Sequence, residues 1–121
     1  MKPELFETMV RDAIDSLPRE FRERMKNVAV LVRSQPGRVR RANAPPRRRD
    51  APLILGEFIG VPQTERSVFQ IPSGPDRIML YQRNIEAVCD SVAEIREQVR
   101  LTLIHELGHY FGMSEEQLRD V

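Results

Sequence analysis

Both histidines of this 121-residue chain fall in one pentapeptide, His105-Glu106-Leu107-Gly108-His109. On a helix, residues four apart lie on one face, a turn apart. Two imidazoles so placed can converge on one divalent ion at about 2.0–2.1 Å each. Glu106 is rotated about 100° from His105, off the ion and beside any water bound to it. Zinc brings the pKa of such a water toward 7, and a neighbouring carboxylate can then take its proton. The spacing therefore predicts two metal ligands, His105 and His109, a general base, Glu106, and one zinc ion per chain. The bland alternative is a pair of polar residues on a half-buried helix. It is disfavoured because the motif sits inside the clearest helix of the sequence.

Catalytic zinc commonly has three protein ligands and an open position. Only twelve residues follow His109 in this sequence, too few for a second helix to donate a glutamate from far downstream. The carboxylates that do follow are Glu115, Glu116 and Asp120. From His105 the chain reads HELGHYFGMSE, or HExxHxxGxxE. The zincin extension HExxHxxGxxH/D puts its third ligand at the last of these positions, here Glu115. Gly112 lets the helix end and the chain turn back at low steric cost. The helix dipole would also favour an acid at Glu115 without a metal. Glu116, one register step on, is the alternative ligand.

The elements that must position these residues are legible by period. Phe6, Met9, Val10, Ala13, Ile14 and Leu17 recur at helical spacing from Pro3, which suits a first turn. Pro18 opens a second short helix, Arg19 to Met25. Val28 to Val32 is a continuous apolar run that predicts a buried strand. Leu53 to Val61 is a strand candidate weakened by Gly56 and Gly60, and Ser67 to Ile71 is another. Pro72 to Asp76 is a turn cluster, Arg77 to Tyr81 a strand, and Asn84 to Cys89 one or two helical turns. Ser91 and Glu94 form a capping-box signature for a helix from Val92 to Tyr110 or Phe111. Gly112 suits its end, and Ser114 with Gln117 can cap a last short helix, Glu115 to Arg119. The sum is α+β: helices at both ends, three or four short strands between them. Phe6, Met9, Phe21 and Phe58 read as core.

Length fits one domain, residues 1–121, with little room for a second. A hydrophobic fraction of 40% and a charged fraction of 31% argue against disorder. No apolar run approaches the ~20 residues that span a bilayer, and the first twenty residues do not read as a secretory signal. A single cysteine, Cys89, excludes an internal disulfide framework, and it reads as a small buried hydrophobe. A cytoplasmic location with no membrane partner is the expectation. Net charge is +1, but seven arginines and no acid lie between Arg33 and Arg49, which leaves the remainder at −6. The 33–50 stretch, carrying Arg38, Arg40, Arg41, Arg47, Arg48 and Arg49, reads as a loop or extended arm. It is either a solvated loop or a contact for nucleic acid or an acidic partner. It lacks interleaved aromatics, which does not favour base stacking.

At these residues the chain resembles the small bacterial zincin-like metallopeptidases, the minimal zincins, whose motif is HExxHxxGxxD. The resemblance extends to Leu53–Pro62, Pro75–Tyr81, and Leu17, Pro18 and Phe21. It implies a small mixed sheet flanked by an N-terminal helix and a C-terminal HExxH helix, and zinc-dependent peptide hydrolysis. His105, His109 and Glu106 carry over directly, and Glu115 stands where the family usually has aspartate. Met113 lies too close to the motif for a Met-turn. Substrate would pair with an exposed strand edge, either Leu53–Val61 or Arg77–Tyr81. The sequence identifies no oxyanion donor: Tyr81 and Tyr110 could serve, but most tyrosines at such places are packing. So short a chain implies a shallow site, with narrow proteolysis or reliance on a partner or homodimer. The alternative function is a catalytically degenerate zincin domain serving as a binding or regulatory module, associated with nucleic acid through the Arg33–Arg49 arm.

Overall fold

The computed structural model describes residues 1–36, 53–60, 76–114 and 116–117. Helix α1 spans Pro3–Asp15 with proline in its first turn, and buries Phe6, Met9, Val10 and Ala13. Leu17 closes the same apolar face. Pro18 then opens α2, Arg19–Arg24, which buries Phe21 and tightens into a 3-10 turn at Met25–Asn27. Strand β1 (Val28–Arg33), β2 (Gly56–Ile59) and β3 (Asp76–Tyr81) form a mixed sheet in the order β1-β3-β2. β1 runs parallel to β3 and β2 antiparallel to it. A short α3 (Gln82–Ala87) leads to α4 (Val92–Phe111), the longest element.

Strand β3 is central, with Ile78 and Leu80 fully buried on its helix side. The apolar run of β1 predicts a buried strand, yet the strand is only half-buried. Among the described residues it occupies a sheet edge; Val28, Val30 and Val32 pack on the core while Leu31 stays 42% exposed on the other face. Arg33, expected to start the arm, instead closes β1 opposite Tyr81. The rest of the arm and the Ser67–Ile71 strand lie outside the described residues.

Helix α4 starts as the sequence indicates. The Glu94 N–H donates to Ser91 Oγ at 3.1 Å. The Glu94 carboxylate accepts from the Asp90 N–H rather than from Ser91, a one-residue variation on the reciprocal box. At the other end Gly112 sits in the left-handed region at φ 71°. The Met113 N–H donates to Gly108 O at 2.8 Å, closing a Schellman turn. Between the caps, Ile95, Val99, Leu103 and Leu107 recur every four residues and are buried. That stripe advances about 40° around the helix at each step. The helix thereby contacts α1, α3, β2 and β3 along its length. Full burial of each such aliphatic side chain stabilises by about 1.5–3 kcal/mol. Among the described residues, no helix is long and apolar enough to cross a membrane.

Candidate metal centre

The ligand atoms of His105, Glu106 and His109 lie within 4.8 Å of one another on the last two turns of α4. The imidazole rings meet edge to face at 4.4 Å between centroids. His109 is exposed, while His105 and Glu106 are half-buried. Between them, Leu107 points into the core and is fully buried. The segment that carries the cluster is therefore anchored from within the motif itself. Burial raises the Glu106 carboxyl above its ordinary range, opposed by His109, His105 and a hydrogen bond from the Phe58 backbone N–H; Glu57 raises it further. A carboxylate held in this way is a better proton acceptor than an exposed one.

Strand β2 runs beside the cluster. Gly56 and Phe58 face α4: a Cβ on Gly56 would lie 2.7 Å from Thr102 Cγ2, and Phe58 packs on Tyr110 at 5.1 Å between rings. By sequence alone, Gly56 and Gly60 only weaken the strand. In the fold Gly56 permits the close approach of α4, and Gly60 adopts φ 152° where a Cβ would overlap the Asp76 carboxylate. The start of β2 is tied down by Asn84 Nδ2 donating to Ile54 O at 2.8 Å and by the Tyr81 N–H donating to Leu55 O at 3.0 Å. A groove of about 340 Å³ opens between strand and helix. It is lined by Leu55, Gly56, Leu101, Gln98 and Thr102 and ends at His105 and Glu106. Gln98 Nε2 donates to Thr102 Oγ1 at 3.2 Å.

Of the two strands considered as substrate edges, β3 is excluded because both its edges are paired. Among the described residues, no strand pairs with the outer edge of β2. Of the two tyrosines considered as oxyanion donors, Tyr81 has its hydroxyl committed to Glu57, donating to Oε2 at 2.8 Å. Tyr110 is buried with its ring against Phe58 and Phe111. Glu115 lies outside the described residues, and Glu116 is exposed. Ser114 and Gln117 exchange reciprocal capping bonds of 2.8 and 3.2 Å, so the turn after Gly112 forms as its sequence indicates. The Tyr81–Glu57 pair is not evident from sequence. Its only signal there is one acid in an otherwise apolar segment, Leu53–Val61.

A helix bearing HExxH, laid along the edge strand of a small mixed sheet, defines the zincin class of fold. The chain belongs to the zincin-like metallopeptidase family, whose sequence profile matches residues 25–121. A solved structure of a conserved hypothetical protein from Thermus thermophilus shares the fold, with a TM-score of 0.57 and 22% identity. The match covers 92% of this chain and 94% of that one. No curated protein sequence matches the chain.

Proposed function

We propose that this protein is a zinc-dependent metallopeptidase. The observation that carries the reading is the convergence of His105, Glu106 and His109 within 4.8 Å beside β2, whose outer edge pairs with no strand among the described residues. Two imidazoles and adjacent carboxylates are the donor chemistry zinc takes, so the residues fit the ion. His105 and His109 would hold it, with Glu115 as third ligand. Bound zinc would supply Lewis-acid polarisation of the scissile carbonyl and acidification of water. Glu106 accepts the proton of the attacking water and passes it to the leaving amine. The Phe58 N–H and the packing of Leu107 hold that carboxylate in place. The substrate backbone lies extended along β2, over the groove.

The test is zinc content per chain in protein purified without chelator, alongside peptide hydrolysis. One zinc in wild type, a marked loss in Glu115→Ala, and full zinc with hydrolysis reduced by about 10²-fold or more in Glu106→Gln are expected. A chain that takes up no zinc on reconstitution would overturn the reading and leave a binding module in its place.

A further inference from the structure

We propose that Glu57 is a specificity residue: its carboxylate recognises a cationic group on a peptide that pairs with the outer edge of β2, which pairs with no strand among the described residues. The inference rests on the peptidase reading and adds a substrate class to it.

The ladder between β2 and β3 decides which backbone groups are free. The Tyr81 N–H donates to Leu55 O, and the register pairs Gly56 with Leu80, Glu57 with Met79 and Phe58 with Ile78. In an antiparallel ladder, hydrogen-bonded and non-hydrogen-bonded pairs alternate. Leu55 and Glu57 therefore spend their backbone groups on β3, and Gly56 and Phe58 turn theirs to the outer edge. The Phe58 N–H reaching the Glu106 carboxylate fits that assignment. An added peptide strand would hydrogen-bond to Gly56 and to the Phe58 carbonyl. The peptide residue opposite Glu57 then falls at a non-hydrogen-bonded position, where Cα atoms come within about 4.5 Å and side chains are closest.

Side chains alternate across the strand. Those of the peptide residues opposite Gly56 and Phe58 point toward α4 and the groove. The residue opposite Glu57 points to the other sheet face, where Glu57 and Tyr81 stand. Glu57 is exposed, and among the described residues no cation pairs with it. It is nevertheless fixed, because Tyr81, only 4% exposed, donates its hydroxyl to Oε2 at 2.8 Å. An oriented, exposed carboxylate at the closest cross-strand position attracts a lysine or arginine side chain or a free α-amino group. All three are cationic hydrogen-bond donors.

The experiment uses full-length, zinc-loaded Glu106→Gln protein as a substrate trap. Fluorescence anisotropy at low salt measures binding of octapeptides in which Lys, Arg, norleucine or Glu is scanned along the chain, each Nα-free and Nα-acetylated. Lys or Arg at one position should bind about three- to fivefold tighter than norleucine, with Glu weaker still. Adding Glu57→Gln should flatten the series to within about twofold, and Glu57→Lys should invert it. Tyr81→Phe, which frees the carboxylate to move, should give an intermediate preference. A preference that acetylation abolishes would assign the cation to the peptide N-terminus; one that follows the scanned side chain would assign it to Lys or Arg. Peptides that bind with no charge preference, or with a preference that survives Glu57→Gln, overturn this inference alone. No peptide binding to a zinc-filled site overturns the peptidase reading and this inference with it.

Discussion

A phenol that donates to a carboxylate resists losing its proton. Tyr81 does so from a buried position, and its pKa is pushed up to about 12 by burial first, then by the hydrogen bond to Glu57 and that residue's charge, against the pull of Arg33. The folded-state value lies above the unfolded one, near 10, so the fold prefers the neutral phenol. The associated stability is complete below about pH 10 and is lost as pH rises through about 12. Thermal unfolding followed by circular dichroism should show the wild-type midpoint falling across that window. Tyr81→Phe, which has no proton to lose there, should fall less. Equal slopes for the two proteins would mean that the Tyr81 phenol is neither buried nor bonded to Glu57 in solution. At neutral pH the same bond keeps the Glu57 carboxylate at a set place on the face of β2.

At the scale of elements, the site depends on how closely α4 lies against β2. The contact is set by one position without a side chain: a Cβ on Gly56 would meet Thr102 Cγ2 at 2.7 Å and Met79 O at 3.1 Å. Gly56→Ala should therefore destabilise by about 1–3 kcal/mol, as overpacking does, and shift His105 and Glu106 relative to the strand. Thr102→Ser deletes the obstructing methyl and keeps the hydroxyl that Gln98 bonds. The double variant should recover part of the lost unfolding temperature and of the zinc affinity, which a double-mutant cycle measures. This contact is not legible in the sequence, where Gly56 reads only as a weak point in a strand. The helix ends are legible, because Ser91, Glu94, Gly112, Ser114 and Gln117 act locally, through bonds to backbone groups a few residues away. The half-exposure of β1 is not, because an apolar run does not say whether its strand is central or at an edge. The clustering of the HExxH side chains is legible because four-residue spacing on a helix is itself the geometry. The partnership of Glu57 with Tyr81, 24 residues apart, needs the β2–β3 register.

At the scale of the whole molecule, the helix that carries the candidate metal cluster and the core helix are the same element. Val99, Leu103 and Leu107 of α4 are fully buried, and α1 packs along it. An ion held by His105 and His109 would therefore tie into the segment on which global stability rests, and the unfolded chain offers no preformed site. Binding to the folded state alone raises the unfolding free energy by about 2.7 kcal/mol when free zinc is a hundredfold above its dissociation constant. For a domain of this size that is an upward shift of about 10 °C in Tm. Wild-type protein should show this shift on zinc addition and lose it on adding a chelator, as read by scanning calorimetry. His105→Ala and His109→Ala should show little or none. Glu106→Gln should keep the shift while losing hydrolysis, because its assigned role is to move a proton rather than to hold the ion. A shift that disappears in Glu106→Gln would instead make that carboxylate a ligand, and the proton acceptor would have to be sought elsewhere along the groove.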